Sequence, residues 1–443
     1  MRGNRAIIIG GVAVLLCGCS DTGPFSGLFR SESPYEQYLT TLRAAGLDST
    51  ALGRDWLKAG ESALTRALTA RLPFRETGYF PPHEPQAVAY QLELRRGRTL
   101  RIEVGFDSGR PARLFVDLFE RRSGEDPRRV ASLAADTTLL EYRVRRDGTY
   151  LLRLQPELLR GGRYTLIERT LASLRFPIPG LDTRAVKSSF GAVRDAGARE
   201  HHGVDIFAPR GTPAIAVAAG TAVASTNELG GLVVWLRDSE RGATYYYAHL
   251  DRWAIDGRAA VRAGDTVGFI GNTGNARTTG PHLHFGIYED GPIDPLPFLA
   301  PDDPIPAEPA APAERLEEWV RVTARAATLY RGPDKGADSL GRLERGWIAR
   351  VSGVSQRAFR VSLPDESIGY LDANLVVSAE RPPRREALTA GSVLRESPNA
   401  AAPAIEILSS ATAAELLGRF GDFELARLPD ARLGWVSKVR GER

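Results

Sequence analysis

The chain is poor in cysteine and histidine, and it carries no strong charge bias. Its two cysteines, Cys17 and Cys19, both lie within the first twenty of 443 residues. Stability must therefore come from apolar cores, with or without a bound metal, rather than from a disulfide framework. The formal net charge of +4 would fall to +2 if Arg2 and Arg5 were removed with a leader. This near-balance excludes an electrostatic case for nucleic acid as a partner.

The first nineteen residues are typical of an export signal. Arg2 and Arg5 precede an apolar run over residues 6–16 that is too short to span a membrane. The run ends in Leu16-Cys17-Gly18-Cys19, which resembles a bacterial lipobox and predicts a signal peptide over residues 1–18, lipidation of Cys19 and a tether over residues 19–33. We expect an exported protein held in a cell-envelope membrane by lipid on Cys19, facing the periplasm from the outer membrane if the organism has one. An ordinary secretory peptide cut elsewhere is the alternative, and it too predicts export.

The spacing of apolar residues predicts a multidomain chain that is mainly β. Helical spacing over residues 34–72 predicts a helical hairpin that serves as an interaction or spacer element. Alternation over residues 86–170, as in Tyr90, Leu92 and Leu94, predicts an antiparallel β-sandwich, and it resembles the jelly-roll-like pre-peptidase accessory domains of secreted bacterial enzymes. Residues 299–314 contain many prolines and alanines and predict a semi-rigid linker.

The C-terminal part of the chain repeats itself at an offset of 65 residues. Leu329 and Leu394 are one such pair, and Gly369 and Gly434 are another. Such an offset predicts two copies of one small β unit, over residues 315–380 and 385–443. Both copies resemble bacterial Src-homology-3-like domains, which implies two small β-barrels. These would either bind peptidoglycan or act as spacers without a ligand.

Five of the six histidines lie between residues 201 and 284. His282 and His284 are two residues apart, so in a strand both imidazoles face the same side. His201 and Asp205 share parity in an extended segment, and Gly203 between them lets the backbone come close. A hydrolytic zinc site uses three protein ligands of these types. We therefore expect His201, Asp205 and one histidine of the later pair to bind metal. The remaining imidazoles, including His249, are then free for proton transfer or charge stabilisation.

The order of these residues resembles the lysostaphin-type zinc metallopeptidases. The resemblance covers residues 173–298 and implies a compact antiparallel β domain with one Zn²⁺ per chain. It implies that His201, Asp205 and His284 bind the zinc and that His249 and His282 are catalytic. Some relatives carry a tyrosine shortly before the first ligand that helps to hold the transition state, and this chain has none there. Either Arg194 or Arg199 substitutes for it or that stabilisation is absent, and Tyr247 is a further candidate for substrate or oxyanion contact. The motifs that carry the resemblance are His201-x3-Asp205, Tyr247-x-His249-Leu250, Gly264-Asp265-Thr266-Val267-Gly268 and Gly280-Pro281-His282-Leu283-His284-Phe285.

The resemblance implies a zinc-dependent endopeptidase that hydrolyses peptide cross-links of bacterial peptidoglycan. In a cell with an outer membrane, the expected bond joins D-alanine to a diamino acid. The alternative is a catalytically weak relative that activates cell-wall amidases, with an amidase or the division machinery as partner. Such regulators typically lack one or more ligands, so the complete set here favours the enzyme. His202 and His83 are expected to play no direct part.

Overall fold

The computed structural model describes residues 32–194 and 199–437. The predicted signal peptide, Cys19 and nearly all of the tether lie outside these residues. The described part is mainly β, and its sheets are almost entirely antiparallel. None of the helices in this part is long and apolar enough to cross a membrane.

Two helices, α1 (Pro34–Ala44) and α2 (Ala51–Thr65), lie at the start of the described chain, joined by a short turn. Ser33 begins α1 with a capping box, in which its hydroxyl accepts from the Glu36 N–H and its own N–H donates to the Glu36 carboxylate. The apolar face of the pair centres on Trp56, which is 1% exposed and donates its indole N–H to the Pro156 carbonyl at 2.8 Å. The helices therefore bury their apolar face against the neighbouring sandwich.

The sandwich comprises two sheets that enclose one apolar core. One sheet has the order β1-β3-β8-β5-β6, and the other contains β7-β4-β9-β2. It begins at Leu68 rather than at the predicted residue 86, because β2 places the polar Glu76 and the small Gly78 on its buried face and so hides its period of two. The strands are β1 (Leu68–Thr69), β2 (Phe74–Phe80), β3 (Val88–Leu94), β4 (Arg98–Asp107), β5 (Leu114–Glu120), β6 (Arg128–Ser132), β7 (Leu139–Arg143), β8 (Gly148–Pro156) and β9 (Gly162–Ala172).

The histidine-bearing strands belong to a ten-stranded sheet, here called the histidine sheet. Its main path is β10-β13-β20-β17-β16-β15-β18, and β14, β19 and β21 pair at its margins. A short helix, α3 (Leu296–Leu299), follows it. The strands of this region, including the separate two-residue pair β11 and β12, are β10 (Val186–Ser188), β11 (Val193–Arg194), β12 (Arg199–Glu200), β13 (Val204–Phe207), β14 (Pro213–Ile215), β15 (Gly220–Asn227), β16 (Gly231–Asp238), β17 (Ala243–Trp253), β18 (Arg258–Val261), β19 (Thr266–Ile270), β20 (His282–Tyr288) and β21 (Pro292–Ile293).

The C-terminal strands show the 65-residue repeat in three dimensions. Gly369 is so close to Leu329 that an added Cβ would lie 2.6 Å from the Leu329 side chain, and Gly434 meets Leu394 in the same way at 2.7 Å. The strands are β22 (Trp319–Val322), β23 (Ala326–Tyr330), β24 (Ser339–Glu344), β25 (Ile348–Ser355), β26 (Ala358–Ser362), β27 (Ile368–Asp372), β28 (Val376–Ser378), β29 (Arg384–Leu388), β30 (Val393–Arg395), β31 (Ala404–Ile407), β32 (Thr412–Phe420), β33 (Phe423–Arg427) and β34 (Leu433–Ser437).

The prediction of two small C-terminal β-barrels is wrong in that the described strands of neither repeat close into a barrel. Strand β25 of the first repeat pairs with β2 of the sandwich, so the strands of both join one eleven-stranded open sheet. The second repeat forms an open six-stranded sheet with β29 and β31 at its edges. The first repeat is therefore continuous with the sandwich through backbone pairing.

A buried polar cluster lies where the sandwich meets the first repeat. Arg360 and Glu76 form an ion pair at 2.8 Å, with side chains 3% and 0% exposed. The hydroxyls of Tyr90, Tyr164 and Tyr370 all donate to the Glu76 carboxylate. Because each partner comes from a different strand, the cluster fixes how the two units meet.

The sandwich contacts the histidine-bearing region at the edge that carries residues 289–303. Arg98 donates to the carbonyls of Ala300 and Pro301, and Arg96 pairs with Glu289. A separate ion pair joins Arg143 to Glu240 at 3.0 Å. Among the described residues, none of these contacts involves the clustered histidines.

Candidate metal centre and active site

Strand alternation brings Asp205, His282 and His284 to one face of the histidine sheet, here called the front face. On β13 and β20 the other face is apolar and packs into the core, through residues such as Val204, Leu283 and Phe285. The intervening residues point forward, and the register places Asp205 directly opposite His284. The period of two on β13 and β20 thus places Asp205, His282 and His284 on one face.

Three donor atoms converge at this point. His201 Nε2 lies 3.0 Å from Asp205 Oδ1 and 2.9 Å from His284 Nδ1, and the last two atoms are 3.1 Å apart. Zinc bonds of about 2.0–2.1 Å in a tetrahedron would separate two donors by roughly 3.3 Å. The triangle is close to that size, and His201, Asp205 and His284 form the group within the described residues that could hold a metal ion. The residues present therefore fit zinc.

Backbone groups orient both imidazole ligands. The Ser189 carbonyl lies 2.9 Å from His201 Nδ1, and because a carbonyl only accepts, this contact places the proton on Nδ1 and leaves Nε2 free to bind metal. His284 packs against Gly203, where an added Cβ would lie 2.8 Å from His284 Nε2 and 2.5 Å from the Phe285 carbonyl oxygen. Only glycine fits at that position without moving the ligand.

The electrostatics of the group favour ligand forms that bind cations. Burial raises the pKa of Asp205, but the contacts with His201 and His284 outweigh it and hold that pKa below its ordinary value. Burial lowers the pKa of His284 despite the opposing effect of Asp205. An ionised carboxylate beside a neutral imidazole is the protonation state that zinc requires.

His282 and His249 lie beside the metal group without belonging to it. His282 Nε2 is 4.0 Å from Asp205 Oδ1, and the His282 and His249 ring centroids are 4.9 Å apart. The Gly280 carbonyl accepts from His282 Nδ1, and the Thr273 carbonyl accepts from His249 Nδ1, each at 2.9 Å. Both contacts place the proton on Nδ1 and leave each Nε2 as the acceptor. Burial, reinforced by the His282 ring, lowers the pKa of His249 to about 4, so this imidazole is neutral at pH 7.

The prediction that Tyr247 contacts substrate or the oxyanion is wrong. Tyr247 is 0% exposed in the core, where its hydroxyl accepts from the Val217 N–H at 2.9 Å. Simple alternation would have placed His249 in the core beside it. Instead His249 has a left-handed backbone, with φ of 64°, and the register of β17 shifts there. This irregularity brings His249 to the front face and leaves Tyr247 behind it.

The remaining candidates lie outside the metal group. Arg199 is exposed on β12, and the side chain of Arg194 is not among the described features. His202 and His83 are both exposed. Sequence reasoning missed the roles of Ser189 and Thr273, because each acts through a backbone carbonyl that any residue could supply.

Comparison with known proteins identifies this part of the chain. Residues 199–295 match Peptidase family M23. The chain contains an M23 domain. Among curated proteins, the DD-carboxypeptidase/endopeptidase Mpg of Neisseria meningitidis is 35% identical over 130 residues, which are 29% of either chain. The peptidoglycan DD-endopeptidase ShyC of Vibrio cholerae is 38% identical over 125 residues, 27% of this chain and 28% of the relative. The lipoprotein YgeR of Escherichia coli is 39% identical over 102 residues, 22% and 39% respectively.

The family match covers residues 199–295 of the chain. The chain spans less than a third of the length of Mpg and ShyC. The helices, the sandwich and the C-terminal repeats lie outside the matched residues.

Proposed function

We propose that the protein is a zinc-dependent endopeptidase that hydrolyses peptide cross-links of bacterial peptidoglycan. The observation that carries this proposal is the convergence of the His201, Asp205 and His284 donor atoms to within about 3 Å of one another, with two further imidazoles beside them. An inactive relative has no need to keep all five groups in this geometry. The names of the M23 relatives support the same substrate class.

The proposed mechanism assigns a separate task to each side chain. His201, Asp205 and His284 would hold one zinc ion, which when bound lowers the pKa of water and polarises a carbonyl. His249 is neutral at pH 7 with its proton on Nδ1, so its Nε2 can accept a proton from the attacking water. That imidazole can then return the proton to the leaving amine. His282 Nε2 faces the same space, where it can accept a hydrogen bond from the attacking water and orient it.

The proposed location is the cell envelope, with lipid on Cys19 as the anchor. The lipobox-like sequence supports it, and one M23 relative is named a lipoprotein. The expected bond, between D-alanine and a diamino acid, agrees with the names of Mpg and ShyC. Membrane fractionation of wild type and Cys19→Ala tests the anchor, because the variant should leave the membrane fraction.

The test of the enzyme uses the chain from residue 20 onward, which includes every described residue. We expect about one zinc per chain by elemental analysis and conversion of cross-linked muropeptides in purified sacculi to monomers by mass spectrometry. His201→Ala should abolish both, whereas His202→Ala, which removes an exposed neighbouring imidazole, should change neither. Intact cross-links and no zinc in wild type would contradict the enzyme. Stimulation of a cell-wall amidase by that inactive protein would instead support the regulator.

A further inference from the structure

His282 has an aromatic neighbour on the side away from His249. The Phe207 ring stacks on the His282 ring, with centroids 4.9 Å apart and planes inclined by 20°. The two residues are directly paired across β13 and β20, and Phe207 lies two positions after the ligand Asp205. The His282 imidazole is therefore held between the flat face of Phe207 and the tilted ring of His249.

This stacking supplies a restraint that the hydrogen bond of His282 cannot. The Nδ1 contact with the Gly280 carbonyl decides which ring nitrogen faces the metal group, but the ring can still tilt about that single contact. A nearly parallel aromatic face removes the tilt, because offset-stacked rings have a preferred orientation. It also shields the imidazole, since His282 is only 5% exposed whereas Phe207 is 39% exposed.

The ordinary packing role of a phenylalanine does not explain this placement. The side chains on the core face of β13 are Val204 and Ile206, and Phe207 is not part of that core. Its ring covers Gly280, where an added Cβ would lie 3.8 Å from the ring, and His282. Phe207 is exposed, and the ring that it contacts among the described residues is the His282 imidazole. We therefore infer that Phe207 serves the site rather than the core.

We propose that Phe207 is a positioning residue for His282, which fixes the plane of the imidazole so that Nε2 faces the metal group. The proposal rests on the proposed function, because it assumes that His282 assists turnover. It requires that the loss of Phe207 act through His282 alone. The zinc ligands, which His201, Asp205 and His284 provide on the other side of the site, should be unaffected.

The test compares variants of the chain from residue 20 onward. Phe207→Ala should lower kcat on sacculi or a cross-linked muropeptide by about tenfold to a hundredfold, as expected for a misplaced catalytic group, with zinc content and KM nearly unchanged. Phe207→Leu should lose as much, because it keeps apolar volume without a flat face, whereas Phe207→Tyr should retain most of kcat. Phe269→Ala is the matched control, since that half-buried ring of the same domain stacks under Arg252 and not on a histidine.

A double-mutant cycle decides whether the effect passes through His282. In a His282→Ala background, Phe207→Ala should cause no further loss of kcat. An equal loss in both backgrounds, loss of zinc in Phe207→Ala, or full activity of Phe207→Leu would overturn the proposal.

A readout that needs no turnover separates this proposal from the proposed function. In long-range ¹H–¹⁵N spectra of the imidazoles, Phe207→Ala should shift or broaden the His282 ring signals more than the His201 signals. If wild type were inactive but Phe207→Ala still showed this spectral response, the proposed endopeptidase function would be contradicted and the restraint on the His282 ring would be supported. Active wild type without the response would contradict the positioning role.

Discussion

Arg360 offers a quantitative test of whether the first repeat and the sandwich unfold as one unit. Its guanidinium donates to the Tyr90 hydroxyl at 2.8 Å, the Tyr164 hydroxyl at 2.6 Å and the Ser352 carbonyl at 2.7 Å, besides its ion pair with Glu76. Arg360→Ala would leave the Glu76 carboxylate buried without its cation. Breaking such a pair by removing one partner costs about 3–5 kcal/mol.

The expected loss is at the lower end of that range. Three tyrosine hydroxyls continue to donate to Glu76 after the substitution, so its charge stays partly compensated. We therefore expect a loss of about 3 kcal/mol, which for a unit of 150–250 residues corresponds to a fall in Tm of roughly 6–12 °C. The loss should appear in the transition that unfolds both the sandwich and the first repeat.

Differential scanning calorimetry with parallel limited proteolysis measures this effect. Arg342→Ala is the matched control, because Arg342 is exposed on β24 of the same repeat. The control should unfold like wild type. If Arg360→Ala also matched wild type, or destabilised the repeat without the sandwich, the buried pair would not couple the two units as the geometry indicates.

Two further substitutions and one treatment test other parts of the structure. Gly203→Ala should weaken zinc binding about tenfold or more in a metal titration, because its Cβ would displace His284 or the Phe285 carbonyl; unchanged affinity would contradict the close approach. Glu168→Gln should raise the free energy of unfolding in urea by about 1 kcal/mol or more at pH 7. The reason is that burial, and to a smaller extent the charge of Glu76, raises the pKa of the Glu168 carboxyl, which has no hydrogen-bond partner among the described residues. That gain should disappear below about pH 4, where the unfolded carboxyl is also protonated, and a gain independent of pH would contradict it. Removal of zinc by a chelator should abolish cross-link cleavage. It should also make the difference in Tm between wild type and Gly203→Ala smaller than the difference measured with zinc bound.

One part of the metal group was predictable from local spacing, and the other part came from the family resemblance. Asp205 and His284 each occupy a forward-facing position on a short strand whose alternate residues are apolar. Parity made His282 and His284 equivalent candidates, and the family resemblance selected His284. The role of Gly203 also followed from sequence, since no other residue leaves room for a neighbouring backbone and ring. Phe207 lies two residues after Asp205 on the same strand, so its position on the front face was also predictable from sequence.

The errors arose where a local irregularity or a distant pairing determines the structure. Tyr247 shares parity with His249 in sequence, and only the left-handed backbone of His249 separates the two side chains. For the first repeat, the barrel prediction failed because β25 pairs with β2, a strand more than 250 residues earlier that the alternation pattern did not reveal. Such pairings form only in the completed fold. The alternation of apolar and polar residues along one strand does not predict which distant strand it pairs with.

The most direct test of the account compares His284→Ala with His282→Ala in the chain from residue 20 onward. Zinc content by elemental analysis and cross-link cleavage by muropeptide mass spectrometry are measured on the same preparations. We expect His284→Ala to lose both zinc and cleavage, whereas His282→Ala should keep about one zinc per chain and lose most of its cleavage. Retention of zinc and activity in His284→Ala, or loss of zinc in His282→Ala, would contradict the division of roles within this one strand.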